Sequence, residues 1–156
     1  DLGILEELEA AGRVRYIGVT TTSPEQYPGL LRILRGEPLD LIDIDYAVDN
    51  RAVEATILPL AAERRIGVLV YLPFGRTRLR ERVRGREVPA WATELDATSW
   101  AQVFLKFLLS HPAVTVVIPG TDKPEYAVDN TNAAKGRLPD AALRQRMIQW
   151  FDALPA

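Results

Sequence analysis

The chain has 156 residues, 47% of them hydrophobic and 26% charged, the proportions of a soluble globular domain rather than a disordered one. Its 19 basic and 21 acidic side chains leave a formal charge of -2, so no basic field invites nucleic acid or an anionic membrane. Cysteine is absent, which excludes disulfides, thiolate metal sites and cysteine nucleophiles and fits a reducing, cytoplasmic setting; no apolar run reaches the ~20 residues that span a bilayer, and no signal peptide is visible.

A first helical stripe, Ile4, Leu5 and Leu8, ends at Gly12 as a C-cap. Residues 14–19, VRYIGV, read as a strand. TTTSPEQY then sets Ser23 as N-cap, Pro24 as the first helical residue and Gln26 as the closing member of a capping box. Leu30, Leu31 and Leu34 give that helix its buried side, and Pro28 either kinks it or delays its start. Residues 41–46, LIDIDY, form the second strand, followed by a helical segment over 52–65 with Pro59 as an irregularity. The apolar run at 66–71, IGVLVY, reads as a strand buried on both faces. After a long polar stretch, Ser99 caps a helix with Gln102 completing a second box, and Val103, Phe104, Phe107 and Leu108 make its core stripe. Residues 114–118, VTVVI, are the fourth strand. The next helix is predicted to start at Asp122, with Glu125 closing a third box, and a last amphipathic helix buries Leu143, Met147, Trp150 and Phe151.

This β/α alternation predicts a parallel sheet with helical crossovers. Two closures compete: a doubly wound open sheet, and part of a (β/α)8 TIM barrel. A doubly wound nucleotide domain usually carries G-x-G-x-x-G after a strand, and none occurs here. Four strands are half of what the barrel needs. Residues 1–156 are therefore read as a single partial domain, and its sheet is expected to leave both edges and an apolar inner face to be covered by a missing N-terminal half or a second copy.

Ligands in such folds gather at the carboxyl ends of strands, which here read TTTS, DIDY, YLPFG and PGTD. The last two lead into GRTRLR and PGTDKP, offering guanidinium, lysine and fresh backbone N–H groups to a phosphate; ordinary strand-to-helix turns are the plain alternative. Arginines recur at every second position from Arg76 to Arg86; most fit a solvated loop, and Arg76 and Arg78, nearest the strand end, are the phosphate candidates. Asp43 and Asp45 share one strand face, yet two acids from one strand make only part of a metal site, so no metal is expected. His111 lies at the amino end of a strand, away from the expected site, and no Ser-His-Asp order or zinc spacing appears, so no catalytic residue is assigned within the chain.

The stretches GRVRYIGVTTTS, LDLIDIDYAV, ILPLAAERRIGVLVYLPFGRTRL, SWAQVFLKFLLSHPAVTVVIPGTDKPEYAVDN and GRLPD, in that order, resemble the aldo-keto reductases over essentially the whole chain. They are similar to the carboxyl-terminal half of that barrel, strands five to eight. The resemblance implies an NADPH site, with NAD possible, and a small carbonyl compound as substrate. Thr20 matches the usual serine, Thr21 replaces the asparagine that holds the nicotinamide amide, and Asp43 replaces a glutamine on that amide. A carboxylate accepts from the amide NH2 but cannot donate to its oxygen. Tyr71 matches the tyrosine that stacks under the nicotinamide. Leu72 stands where a serine is common; Pro73, Phe74, Gly75 and Leu79 follow the pyrophosphate-loop pattern, with Thr77 in place of its second glycine. Gly120, Thr121 and Lys123 match the corner at the adenosine phosphate, and Asp129 and Asn130 the acid–amide pair at the adenine. Tyr126 occupies the place of an arginine that commonly grips the 2′-phosphate, which leaves that job to Lys123.

The family's Asp, Tyr, Lys and His tetrad belongs to earlier strands and has no counterpart in this sequence. The resemblance thus implies a carbonyl reductase of which this chain is the cofactor-binding half, inactive by itself. The alternative is a catalytically inert nucleotide-binding or regulatory half-barrel that self-associates; the replacements at Thr21, Asp43, Thr77 and Tyr126 favour it, and the retained Tyr71, Gly75, Thr121 and Asn130 favour the reductase.

Overall fold

The computed structural model describes residues 2–155. Helix α1 (Leu2–Ala10) leads to β1 (Gly18–Thr20), α2 (Tyr27–Gly36), β2 (Leu41–Asp45), α3 (Ile57–Arg64) and β3 (Gly67–Tyr71). The short α4 (Arg78–Arg82), then α5 (Trp100–Leu109), β4 (Val116–Val117), α6 (Pro124–Asn132) and α7 (Ala141–Asp152) complete the order. All pairings are parallel, in the order β1-β2-β3-β4, so each strand lies beside its sequence neighbour as successive β/α units require.

The two outer strands are shorter than the sequence suggests, because each has a single hydrogen-bonded neighbour among the described residues. In β1 the ladder begins only at Gly18; just before it, the Ile17 N–H donates to the Asp40 carboxylate at 2.8 Å. Beyond the ends of β4, Thr115 N–H and Ile118 N–H still reach the Val68 and Val70 carbonyls at 2.9 and 2.8 Å. Gly18 permits the close approach of β1 to β2: a Cβ there would lie 2.5 Å from the Leu41 carbonyl oxygen.

One sheet face is covered. Ile42, Ile44, Val68 and Val70 are buried against Leu30 and Leu34 of α2, Ile57, Leu58 and Ala61 of α3, and Val103, Phe104, Phe107 and Leu108 of α5. The opposite face is not the apolar surface expected. By register it carries Gly18, Thr20, Asp43, Asp45, Gly67 and Tyr71 beside Leu41, Leu69 and Val116. Polar and small residues therefore alternate with the buried ones, and the strands at 41–45 and 67–71 are buried on one face rather than both.

Helix starts follow the local chemistry with corrections. Gln26 Oε1 accepts from the Thr22 and Ser23 N–H groups at 2.6 and 3.2 Å, closing a 3-10 turn at Pro24–Gln26; Pro28 delays the α-helix to Tyr27 rather than kinking it. Likewise the segment at 52–65 breaks at Thr56 into a 3-10 turn and α3, where Pro59 falls in the first turn, whose N–H groups have no helical partner. Ser99 Oγ accepts from Gln102 N–H at 3.1 Å, but Gln102 reaches back to Thr98 N–H at 2.9 Å, one residue before the cap. The third predicted box does not form. Helix α6 starts at Pro124 with Lys123 as its N-cap, and the Lys123 N–H turns back to Thr121 Oγ1 at 3.2 Å.

Two polar groups tie the last third of the chain to the sheet layer. Lys106 of α5 is 0% exposed and donates to the Lys135 and Arg137 carbonyls between α6 and α7, the latter at 3.0 Å. From α7, Arg144 donates to the Phe107 carbonyl, to Ser110 Oγ at 2.7 Å, and to Tyr46 Oη and Glu54 Oε1 at 3.0 Å each. Met147 and Phe151 are buried as expected, while Leu143 and Trp150 are only partly so. Trp150 instead joins a ring cluster with Trp100, Trp91 and Phe151, its centroid 5.1 Å from that of Trp100.

Candidate functional site

The carboxyl ends of the strands converge on one rim, where two groups of residues gather. The first lies over β1–β3. Thr21, 4% exposed, donates its N–H to the Asp43 carbonyl at 3.2 Å, while its own carbonyl accepts from the Tyr71 hydroxyl, which thereby spans from β3 to the loop after β1. Thr21 Oγ1, Asp43 Oδ1, Asp45 Oδ1 and Tyr27 Oη are buried without a hydrogen-bond partner. Four such orphans at one spot are unusual, since buried polar groups are nearly always satisfied. They mark the place where a ligand would complete the hydrogen bonding.

Burial raises both carboxyl pKa values at this rim above the ordinary 3.8, for Asp45 against the opposing effects of Asn50 and of Arg78 and Arg76. Burial, then the negative charge of Asp45, also raises Tyr27 and Tyr71, so both phenols stay protonated donors. The folded state therefore binds protons at Asp43 more tightly than the unfolded chain. The associated stability is fully present below 3.8 and lost as pH rises through the raised folded value. Asp43→Asn removes this loss. We expect it to raise stability at pH 7 by on the order of 0.5–1 kcal/mol, the gap to the parent closing as pH falls toward the unfolded value. Urea midpoints at both ends of that range measure it; a gap independent of pH would refute the assignment.

The second group surrounds a cavity of about 490 Å³ between the loop after β3, α5 and the start of α6. Phe74, Gly120, Thr121, Lys123, Tyr126, Asp129 and Asn130 line it, together with Arg76, Thr77, Arg80, Trp100 and Asp122. Its shape depends on the turn after β3: Leu72, Gly75 and Arg76 all have positive φ, and a Cβ on Gly75 would meet the Arg78 guanidinium at 2.6 Å. Asp129 is already engaged. Its oxygens accept from Ser99 Oγ at 2.7 Å and Gln102 Nε2 at 2.6 Å, fixing α6 to the start of α5.

The predicted site residues thus divide three ways. Thr20, Thr21, Asp43 and Tyr71 meet at the strand ends, and Gly120, Thr121, Lys123, Tyr126, Asp129 and Asn130 meet at the cavity with Phe74. Pro73 and Gly75 are buried in the turn that shapes its wall, and the Leu79 side chain, 0% exposed, packs in the core. Arg78 does not face the cavity: it pairs with Asp49 through two bonds of 2.7 and 2.9 Å. Arg80, Trp100 and Tyr27 were not singled out from the sequence. A helical wheel of the short α4 would have turned Arg80 away from Arg78, but Trp100 and Tyr27 reach their places through packing alone.

The sequence matches the aldo/keto reductase family over residues 2–146.

The chain belongs to that family.

Among curated members it is 26% identical over 186 residues to the probable aldo-keto reductase 1 of Glycine max, covering 99% of this chain and 50% of that protein. It is 22% identical over 174 residues to aldo-keto reductase yakc of Schizosaccharomyces pombe, which carries NADP(+) in its name, covering 92% and 50%. The fold superimposes on an aldo-keto reductase from Klebsiella pneumoniae solved in complex with NADPH with a TM-score of 0.75 at 20% identity, covering 96% of this chain and 52% of that one. The holo form of AKR11C1 from Bacillus halodurans gives 0.69 at 22% identity, covering 94% and 53%. This aldo/keto reductase chain therefore spans about half the length of the relatives it matches, and its four β/α units correspond to about half of their TIM barrel. No described helix is long and apolar enough to cross a membrane, and no cluster of three or more His, Asp or Glu side chains stands among the described residues as a metal site.

Proposed function

We propose that this chain is the cofactor-binding half of an NADPH-dependent carbonyl reductase acting on a small aldehyde or ketone. The observation that carries the reading is the pair of sites along one rim: orphaned polar atoms at the strand ends, and a cation-lined cavity beyond the turn after β3. A dinucleotide has one amide-bearing ring and one phosphorylated adenosine, and these two sites differ in the matching way. Thr21 Oγ1 can donate or accept, and the unpartnered Asp43 oxygen can accept from an amide NH2. Tyr71 is anchored through its hydroxyl, which fits a ring held still beneath a planar ligand. Lys123, Thr121 and Asn130 line the cavity as the adenosine-end residues.

When bound, NADPH supplies hydride to a carbonyl carbon. The residues of this chain bind and orient; in this reading the proton for the carbonyl oxygen comes from a group outside these four β/α units. General acid help contributes about 10²–10⁴ in rate, so the chain alone is expected to bind cofactor without turning over carbonyl compounds.

Trp100 lines the cavity and provides the test. Titration with NADPH is expected to quench tryptophan emission or transfer it to the nicotinamide. No change at millimolar cofactor would overturn the proposal for this chain. A second reading, an inert half-barrel that self-associates, is favoured by β1 and β4 each having one strand neighbour among the described residues. A folded monomer by light scattering would remove it.

A further inference from the structure

The two carboxyls at the strand ends differ in what surrounds them. Asp45 feels the positive charges of Arg78 and Arg76. Asp43 has no such company. It takes part in no ion pair among the described residues, and burial and the Ile44 N–H are the influences on its acidity. Its Oδ1 is buried and unpartnered, and the neighbouring Thr21 side chain, 4% exposed, keeps an unpartnered Oγ1. A buried carboxylate without a cation is costly, because its attraction to water is lost and nothing replaces it. The rim has one negative charge to spare.

Tyr71 adds a second feature with the same preference. It is the register neighbour of Asp45, and its hydroxyl donates to the Thr21 carbonyl. Strand β2 lies between β3 and the loop after β1, so the phenol bridges the strand end that carries both acids. Burial first, then Asp45, Tyr27 and Asp43, raise the Tyr71 pKa, so the phenol shares one electrostatic neighbourhood with both carboxyls. An aromatic face attracts a cation, as a carboxylate does. A planar group with positive charge in its ring satisfies both; a neutral ring of the same shape leaves Asp43 uncompensated.

We propose that Asp43, with Tyr71, makes this rim discriminate between the two redox forms of the nicotinamide ring and bind the oxidised, cationic form more tightly. This rests on the cofactor reading above. The two forms differ by one hydride, a hydrogen nucleus with two electrons, and so by one unit of positive charge on the ring. The rest of the dinucleotide is common to both, so the cavity beyond the turn after β3 contributes equally to each. Favouring the charged form makes hydride departure toward a carbonyl carbon more downhill and holds the spent cofactor. A neutral amide side chain at position 43 would meet the ring without this bias.

The test measures dissociation constants of NADP+ and NADPH by calorimetry on this chain and on Asp43→Asn and Asp43→Glu. The parent is expected to bind NADP+ at least about ten-fold more tightly than NADPH, a bias within what one carboxylate exerts on a nearby unit charge. For a two-electron couple that ratio is ~30 mV on the bound potential. Asp43→Asn should bring the ratio close to one by weakening NADP+ alone, and Asp43→Glu should keep most of it. A ratio at or below one in the parent overturns the redox bias and leaves the cofactor reading intact. A ratio unaltered by Asp43→Asn overturns the role of Asp43. Equal weakening of both forms overturns it too, because a purely structural residue acts on both alike. Failure of both forms to bind the parent overturns the cofactor reading and the redox bias with it.

Discussion

Arg144→Met is expected to destabilise the chain by about 3–5 kcal/mol, the range for removing one partner of a buried ion pair. The Arg144 side chain is 14% exposed, and its guanidinium lies 4.1 Å from the centroid of the Phe107 ring. Its donors join Tyr46 just after β2, the 3-10 turn carrying Glu54, and the end of α5, through Phe107 and the C-cap Ser110. Methionine fills the volume but leaves the Glu54 carboxylate with only the Tyr46 hydroxyl and the Phe107 carbonyl with only the Ser110 hydroxyl. For a chain of this length the loss corresponds to a fall in Tm of roughly 6–20 °C. Glu54→Gln in the same background should cost less than in the parent, because the charge it removes is already unpaired. A fall below 1 kcal/mol, or strict additivity, would show that the network is peripheral. A pH signature accompanies it. Burial first, and Arg144 second, hold His111 below its ordinary 6.5, so the folded chain binds fewer protons there and loses stability as pH falls from 6.5 through that lowered value. Without Arg144 this acid-side loss should shrink.

Gly18→Ala carries the second large effect, because it acts on the sheet and the rim together. The added methyl would lie 2.5 Å from the Leu41 carbonyl oxygen and 3.1 Å from the Leu41 Cβ, so a backbone must move rather than a flexible side chain. Overpacking of this kind costs about 1–3 kcal/mol, and lost ladder bonds at an edge strand add to it. Thr20 and Thr21 follow Gly18 after Val19, and the Thr21 N–H to the Asp43 carbonyl holds that rim in place. Gly18→Ala should therefore weaken NADPH binding along with stability. Gly29→Ala in the first turn of α2 is the contrast: nothing lies within 4 Å of the new methyl, and a helical glycine replaced by alanine there is expected to gain up to roughly 0.5 kcal/mol without touching cofactor binding. Parallel urea melts and cofactor titrations check both, and equal behaviour of the two variants would refute the close-approach argument.

The repeating β/α order and the corners after β3 and β4 were legible because they rest on local signals. A buried apolar run, a Pro-Gly corner and an N-cap residue each act within a few positions. Tyr71 and Thr121 could be placed at the strand ends for the same reason, whereas Asn130, on α6, was assigned through the family resemblance. Misreadings arose where another partner, near or distant, outcompeted the expected one. Asp122 and Glu125 have the spacing of a capping box, yet the Lys123 N–H is satisfied by Thr121. Arg78 sits close to the strand end, yet Asp49, 29 positions away, captures it. Asp129, 30 positions from Ser99, serves as a clamp between helices, a role invisible in a linear reading. The inner sheet face was misjudged because IGVLVY looks apolar as a run, while its alternate residues include a glycine and a phenol and the same face of LIDIDY carries two carboxyls.

The full enclosure of Lys106 has a practical consequence. The chain contains three lysines, and Lys123 and Lys135 stand in solvent while the amine of Lys106 is sealed beneath the segment it suspends. A reagent that acylates amines can reach that nitrogen only after the stretch joining α6 to α7 lifts away. The slow component of such labelling is a single-atom clock for detachment of the C-terminal third, readable by mass without any added probe.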